Sequence, residues 1–357
     1  MKVFQRYLAR EIYLSVAFVM VAFLALFAFF DLMAEIDDIG RGGYKFHHAL
    51  LFVTLTLPGR VYELFPIVVL IGTLYALTLL ARHSEITVMR ASGLATGTLL
   101  RSLTVIGSVF VVLTFLVGEF VAPESERAAQ QLRLTSRSSV VAQEFRSGLW
   151  VRDEKVFVNV RTVLPDTTLR GVRMYQFDDQ WVLKSIAEAQ EGKFQAPDTW
   201  QLSDVVQTNF LGDRTEVVRF DEKPWRSTLT PDVLSVLLVA PERMSLTNLS
   251  TYIRHLSENR QRTERYEIAM WKKLVYPLAS LVMMALAIPF AYVHDRMGAV
   301  SLKVFVGIMI GIGFHALNGL FSNLGVINSW PPVVAAFTPS LAFLLTAAAM
   351  LWWVERR

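Results

Sequence analysis

The chain has 357 residues, of which 53% are hydrophobic and only 18% are charged. Soluble domains usually carry about 25% charged residues, so this composition excludes an ordinary water-soluble domain and indicates a membrane protein. The net charge of +4 is modest and fits lysines and arginines in cytoplasmic loops better than a nucleic-acid surface. Because the sequence has no cysteine, disulfides and thiolate metal sites are excluded.

Six segments are apolar enough and long enough to cross a bilayer, since a helix needs about 20 mainly apolar residues to span the hydrocarbon core. The predicted spans are Ile12–Met33, Val61–Leu80, Leu99–Phe120, Leu274–Val293, Val300–Leu320 and Val333–Val354. The first lacks a small-residue cleavage site, so we expect a retained span and not a cleaved signal peptide. The second could begin as early as Ala49, with a kink or tilt near Pro58.

The positions of the cations predict the orientation of these spans, because cytoplasmic loops are rich in lysine and arginine. Most cations that flank the spans fall on one side of the predicted bundle: Lys2, Arg6, Arg10, Arg82, Arg90, Arg101, Arg296, Lys303, Arg356 and Arg357. We therefore expect both termini in the cytoplasm and the long segment between spans three and four on the opposite side.

From Trp150 onward that long segment changes to the two-residue period of β-strands. Val156, Val158 and Val160 share one face, and similar short runs follow, separated by turn-forming Pro, Gly and Asp residues. Short strands at near-regular spacing predict an all-β sandwich or jelly roll. Its open edge could add a strand from another protein, or the domain could be a soluble cap that only stabilises the helices. After Ser245 a helical period returns and leads into span four.

The motifs of common enzymes and ion carriers are missing. The sequence has no P-loop, no H-E-x-x-H and no G-x-S-x-G motif, so no catalytic residue and no ATP site of the P-loop type are predicted. Ion-coupled carriers normally place carboxylates deep inside their spans. Here the span interiors hold few ionisable residues, and we interpret His315 in span five as a packing residue.

The loop between spans two and three predicts a short helix along the cytoplasmic membrane face. Ser84 suits the N-cap, Glu85 suits the positive end of the helix dipole, and Gly93 suits the C-terminal stop. We expect Ile86 and Met89 to be exposed there and to form a small docking surface. The alternative is that Glu85 only stabilises the start of its own helix.

Two further features indicate contacts of the spans. Gly307 and Gly311 are spaced so that helix backbones can approach closely, either within this chain or at a moving or intersubunit contact. Arg133, Lys272 and Lys273 lie near the extracytoplasmic ends of the spans, as plain interface anchors or as contacts for an anionic lipid headgroup.

The order of several short motifs resembles the lipopolysaccharide-export permeases of the LptF/LptG family over essentially the whole chain. The motifs that carry this resemblance are Phe65–Pro66, Leu80–Gly93, Gly118–Pro123, Gly148–Trp150 and Leu229–Asp232. Those that favour the LptG branch are Met270–Lys273, Arg296–Gly298 and Trp330–Pro332.

The resemblance implies an α-helical inner-membrane protein of Gram-negative bacteria, with six transmembrane helices arranged three plus three around an inserted all-β periplasmic jelly-roll domain. Residues 1–123 would hold the first three helices, with a cytoplasmic coupling helix at about 82–93. Residues 124–265 would form the periplasmic β-jellyroll domain with its flanking helices, and residues 266–357 the last three transmembrane helices.

The resemblance also implies partners and a substrate. The chain would pair with an LptF-like paralogue and with two LptB-like ATPase subunits, which bind ATP and Mg²⁺, so that this chain itself holds no cofactor. Lipopolysaccharide extracted from the inner membrane would pass to the β-jellyroll proteins LptC and LptA. No nucleic acid is expected.

Two groups of site residues follow from the resemblance. The residues expected to couple to the ATPase are Arg82, Ser84, Glu85, Ile86 and Met89. Those expected to bind lipid, or to form a gate between span one of this chain and span five of the paralogue, are Phe27, Phe30, Phe65, Arg133, Lys273, Gly307, Gly311, Phe314, Leu317 and Phe321.

Span one departs from the family pattern at its outer end. The resemblance to enterobacterial members implies lysines there that meet the lipid A phosphates, whereas this chain has Asp31, Asp37 and Asp38. The phosphate contact is therefore expected at Arg133, which matches a family arginine. Divalent cations could bridge the carboxylates to an anionic lipid.

Two other functions stay open. A permease like the macrolide exporters would transmit ATPase motion to a periplasmic domain without moving lipid, although such permeases usually have four spans with the large domain after the first. A non-transporting envelope scaffold or sensor would not need the docking loop at residues 84–93.

Overall fold

The computed structural model describes residues 3–40, 43–93, 95–136, 148–163, 168–195, 198–227, 240–258, 261–292 and 300–356. The helices, in chain order, are α1 (Val3–Ile36), α2 (Phe46–Arg82), α3 (Glu85–Ala91), α4 (Thr96–Leu116), α5 (Ala122–Ser136), α6 (Leu246–Glu258), α7 (Glu264–Tyr292), α8 (Val300–Ile327) and α9 (Pro332–Glu355). The strands are β1 (Leu149–Asp153), β2 (Val156–Val163), β3 (Leu169–Phe177), β4 (Leu183–Gln195), β5 (Thr199–Phe210) and β6 (Thr215–Arg226). The motifs at residues 229–232 and 296–298 lie outside the described residues.

Six helical segments of the described chain are long and apolar enough to cross a membrane. They are α1, α2, α4 with its continuation, α7, α8 and α9, and each overlaps one predicted span. Three precede the strands in the sequence and three follow them. The prediction of six apolar helices with a set of strands in the middle of the chain is confirmed.

α2 lies at the centre of the bundle. It contacts α1, α5, α7 and α8, and its apolar stretch is 83% buried, against 17% for that of α1. α2 begins at Phe46 and continues through Pro58 and Pro66, which confirms the earlier start that the apolar run from Ala49 allowed. The outer helices are apolar on their exposed faces as well, as expected of helices that contact lipid.

The helix of the third span extends beyond the predicted span. α4 continues through a π-helical turn at Val117–Val121 into α5, and such turns often occur at functional positions. Gly118 is required in this turn, because a Cβ atom on it would lie 2.4 Å from the Tyr62 ring of α2. The turn carries Glu119, which contacts the segment that follows the strands.

The strands form one antiparallel sheet in the order β1-β2-β3-β4-β5-β6, so each strand pairs with its neighbours in the sequence. The predicted alternation is confirmed, since Val158 and Val160 are both buried, and Val158 lies opposite the buried Met174 of β3. Antiparallel sheets commonly bury one face and expose the other. Leu249 and Tyr252 of α6 pack on the buried face, and we refer to β1–β6 with α6 as the β domain.

The sheet is curled. β1 and β6 are the outermost strands, yet both line a single cavity of about 540 Å³, to which β1 contributes Asp153 and β6 contributes Trp225. Because neighbouring strands lie about 4.8 Å apart, a flat sheet of six strands would hold its two edges too far apart to share one cavity. We refer to this space as the β cavity.

Candidate functional site

The helix predicted between the second and third spans is present as α3, at the end of the bundle away from the sheet. Gly93 follows it with a φ of +94°, the left-handed conformation that suits a helix stop. Ser84 precedes it with a φ of +60°, which differs from the extended conformation of a standard N-cap. Glu85 lies in the first turn, as predicted.

The exposed face of α3 is not the predicted one. Ile86 is buried in the bundle core at 6% exposure, so the expectation that it is exposed is wrong, and Met89 is half-buried. A short helix that lies against α2 buries its apolar face there. Val88, at 62% exposure, takes the outward position instead.

Glu85 links α3 to the start of α1. The Tyr7 hydroxyl donates a hydrogen bond to Glu85 Oε1 at 3.3 Å, and His83 Nδ1 lies 4.0 Å from the same oxygen. The Glu85 side chain is still 32% exposed, so a partner can reach it while it contacts α1. Arg82, the last residue of α2, is exposed at the same end of the bundle.

At the sheet end of the bundle, two membrane helices hold the segment that leads into α6. The Glu119 carboxylate accepts the backbone N–H of Leu246, the first residue of α6, at 2.9 and 3.0 Å. It therefore lies at the positive end of that helix dipole. Lys273 of α7 lies 3.7 Å from Glu119 and donates to the backbone carbonyl of Met244. We call Glu119, Lys273 and residues 244–246 the clasp.

A second ion-pair group lies beside the clasp. Arg243, in the turn that precedes α6, pairs with Glu126 of α5 at 2.9 Å and lies 3.6 Å from Glu63 of α2. Together with the clasp, these pairs join the entry of α6 to α2, the π-helical turn, α5 and α7. The structure thus provides a direct mechanical connection between membrane helices and the β domain.

Lys273 does not occupy the lipid-facing position expected from the sequence. It is buried at 5% exposure, and its charge meets Glu119 in the clasp. The neighbouring Lys272 is half-buried and lines a cavity of about 310 Å³ together with Glu242, His315 and Asn318.

The acidic outer end of α1 is matched by arginines from other helices. Arg60 of α2 donates two hydrogen bonds to Asp31, at 2.8 and 3.0 Å. Arg133 of α5 lies 3.5 Å from Glu35 and 3.7 Å from Asp38. These pairs offset part of the negative charge that would otherwise repel an anionic lipid, and they offer an alternative to bridging divalent cations. The contact of Arg133 with lipid A phosphates stays a prediction.

Two helix faces expose large apolar side chains. On α1 the exposed side chains include Phe18, Val21, Leu26, Phe29, Phe30 and Met33. Those of α8 are Leu302, Phe305, Met309, Ile312, Leu320 and Ile327. Of the predicted gate residues, Phe30 belongs to the α1 face, whereas Phe27 is half-buried beneath the Arg60 guanidinium, 5.5 Å from its ring. Leu317 and Phe321 are half-buried on α8.

The other predicted gate residues lie inside the bundle. Phe65 and Phe314 are buried at 7% and 1% exposure, so neither ring faces lipid or a partner in this conformation. A Cβ atom added to Gly311 would lie 2.7 Å from the Ile67 side chain of α2, and Gly307 also faces α2. The glycine motif therefore serves packing within the chain, the more ordinary of the two interpretations.

The β cavity combines apolar and charged side chains. Met174, Ala187 and Trp225 line it together with Asp153 and Lys223. Burial lowers the pKa of Lys223, since desolvation disfavours its charged form. The apolar side chains suit contact with a hydrocarbon chain, and the charged ones suit a polar group beside it.

His255 of α6 is buried against the sheet. Burial lowers its pKa, and the negative charges of Asp153 and Glu258 partly oppose that shift. The imidazole is therefore held mainly in its neutral form.

The sequence of the chain matches a known family of proteins. Over residues 6–353 the chain matches the family described as "Lipopolysaccharide export system permease LptF/LptG". The lipopolysaccharide export system permease protein LptG of Escherichia coli (strain K12) is 29% identical over 360 residues, which cover 99% of this chain and 98% of that protein. The protein of the same name from Haemophilus influenzae is 28% identical over 353 residues, with the same shares covered. The resemblance found in the sequence motifs is confirmed, and the chain belongs to the LptF/LptG family of lipopolysaccharide export permeases.

Proposed function

We propose that this chain is the transmembrane permease subunit of a lipopolysaccharide export system and that it extracts lipopolysaccharide from the inner membrane. The observation that carries the proposal is the family match over residues 6–353, because that match includes both the six apolar helices and the inserted sheet. Relatives that share the whole length are themselves named as permease proteins of such a system.

ATP hydrolysis would take place on partner subunits. The sequence has no P-loop, so ATP and Mg²⁺ would bind to a pair of LptB-like ATPases docked on α3. The contact surface would consist of Val88, which is exposed, Glu85, which is partly exposed, and Arg82. Because Glu85 also bonds to Tyr7, a displacement of α3 would act on the start of α1.

In this arrangement α3 and both termini face the cytoplasm, in line with the distribution of cations. The β domain faces the periplasm.

The lipid would travel between subunits and not through this chain. A lipid with several acyl chains cannot pass through a close-packed bundle whose central helix is 83% buried along its apolar stretch. It would enter a cavity shared with an LptF-like paralogue. The exposed apolar faces of α1 and α8 are the surfaces we assign to the lateral gates, with α1 of one subunit facing the counterpart of α8 in the other.

The β domain would receive the lipid as a jelly roll and pass it to LptC and LptA. The curled sheet and its β cavity of about 540 Å³ support this role. Sheltering acyl chains from water stabilises the bound lipid by about 0.8 kcal/mol for each buried CH₂ group. The outermost strands of the described sheet, β1 and β6, are where a further β-jellyroll protein would add by strand pairing.

Depletion of this chain in the cells that produce it tests the proposal. Newly made lipopolysaccharide is pulse-labelled, and the inner and outer membranes are then separated. We expect the label to remain in the inner membrane after depletion and to reach the outer membrane again when the chain is re-expressed. Normal arrival of the label despite depletion would instead support a scaffold or sensor.

A further inference from the structure

A groove runs between α1 and α4 at the α3 end of the bundle. The two helices meet through Gln5 Nε2 and Ser102 Oγ, 3.1 Å apart, and through the Tyr13 hydroxyl, which donates to the Ile106 carbonyl at 3.2 Å. Beside these contacts lies an open groove of about 680 Å³. The exposed apolar side chains along it are Leu14, Val105 and Val109.

Two arginines line the α1 wall of this groove. Arg6 and Arg10 are one helical turn apart, so their side chains are neighbours on the helix surface, and both are exposed. Neither has a carboxylate within ion-pair distance among the described residues. By contrast, Arg60, Arg133 and Arg243 at the other end of the bundle all lie in ion pairs. Two adjacent guanidinium groups thus lack an anion at the rim of an apolar groove.

We propose that this groove binds an anionic glycerophospholipid of the cytoplasmic leaflet, with its phosphate between Arg6 and Arg10 and one acyl chain along Leu14, Val105 and Val109. The planar guanidinium matches the geometry of phosphate oxygens, and basic residues near the membrane surface attract anionic lipids. An apolar helix of another protein fits this groove less well, because its surface would cover two arginines that have no anionic partner. The inference rests on the membrane orientation given above and is independent of lipopolysaccharide transport.

The bound lipid would act on the same part of α1 as the ATPase contact. Tyr7, which bonds to Glu85 of α3, lies in the helical turn between Arg6 and Arg10. A phospholipid held by these arginines would therefore fix the position of the α1 start, from which the proposed gate helix continues toward the β domain.

Because this chain has no native cysteine, one introduced cysteine is its only labelling site, and any cysteines of the partner subunits are replaced by serine before labelling. Ser108, which lines the groove, is replaced (Ser108→Cys) and labelled with a fluorophore that brominated acyl chains quench. The complete transporter complex is placed in phosphatidylcholine nanodiscs that contain brominated phosphatidylglycerol or, in parallel, brominated phosphatidylcholine at the same fraction. We expect stronger quenching by phosphatidylglycerol. The concentration for half-maximal quenching should rise about fivefold for Arg6→Gln or Arg10→Gln and about thirtyfold for the pair.

Arg356→Gln is the matched control, because it removes a cation near the end of α9 that does not line the groove. It should leave the preference for phosphatidylglycerol unchanged, and Arg10→Lys, which keeps the charge, should retain most of it. Equal quenching by both lipids, or an unchanged preference in the double variant, would overturn the proposal. Quenching by neither lipid would also overturn it, because no acyl chain would then lie in the groove. Binding of inorganic phosphate between Arg6 and Arg10, without quenching by either lipid, would show that the site takes a free anion. That result would also overturn the proposal.

Discussion

Replacement of Lys273 by methionine tests the clasp most sharply. Lys273→Met keeps an unbranched side chain of similar length but leaves Glu119 without its cation. In the folded chain the two side chains are 6% and 10% exposed, and their charged atoms are 3.7 Å apart. Removal of one partner from a buried ion pair costs about 3–5 kcal/mol, because the remaining charge stays away from water. Because Glu119 still accepts the Leu246 N–H, we expect a loss of stability at the lower end of this range, about 3 kcal/mol.

A double variant separates the ion pair from packing. Glu119→Gln with Lys273→Met removes both charges, and the Gln oxygen can still accept the Leu246 N–H. Replacement of both members of a buried ion pair by uncharged side chains often changes the free energy of unfolding little. The double variant should therefore be more stable than Lys273→Met alone, with a coupling energy of about 1–3 kcal/mol. Lys272→Met is the matched control, since Lys272 is half-buried without an ion pair to a described carboxylate, and it should cost about 1 kcal/mol or less.

The assay is the free energy of unfolding in mixed micelles, followed by tryptophan fluorescence as dodecyl sulfate is added. Lipopolysaccharide arrival at the outer membrane is measured in parallel, at equal membrane levels of each variant. Because the clasp joins the helices to the β domain, Lys273→Met should also reduce export. Additive effects of the two substitutions, or equal losses for Lys272→Met and Lys273→Met, would show that the ion pair with Glu119 does not stabilise the clasp.

Three further predictions test other parts of the chain. Tyr7→Phe should slow export while the ATPase still co-purifies with the chain. Glu85→Lys should release the ATPase. If the ATPase co-purified fully with Glu85→Lys, Glu85 would serve only to stabilise the start of its own helix. Gly311→Val should cost about 1–3 kcal/mol through overpacking against α2 in the same unfolding assay, while Gly313→Val, in open space, should cost less. The lowered pKa of His255 means that the unfolded chain binds the proton more readily, so stability should fall as the pH drops below about 6.5. A pH series of thermal unfolding should show that His255→Gln flattens this loss, and an identical loss in that variant would exclude His255 as its source.

The helices and the strands could be predicted because their signals are local. Apolar length identifies each span, and the alternation around Val158 identifies the buried face of a strand. The position of α3 also follows from local chemistry, since Glu85 begins it and Gly93 stops it. Which face of α3 is exposed could not be predicted, because only the tertiary contact of α3 with α2 decides that Ile86 is buried and Val88 is exposed.

The charge pairs could not be predicted because their members are distant in the sequence. Arg243 and Glu126 are 117 residues apart, and no local pattern tells which arginine meets which carboxylate. For the same reason the sequence does not show that Arg60 and Arg133 offset part of the negative charge at the outer end of span one. The burial of Lys273 could not be predicted either, because its partner, Glu119, lies on another helix.

The claim that this chain moves lipopolysaccharide is tested most directly by photo-crosslinking inside the β cavity. A photo-crosslinking amino acid replaces Met174, which lines that cavity, and the chain is reconstituted in proteoliposomes with its LptF-like paralogue, the ATPase and lipopolysaccharide. We expect capture of lipopolysaccharide at this position only while ATP is hydrolysed, and loss of capture in Glu85→Lys. Equal capture without ATP, or no capture under any condition, would contradict it.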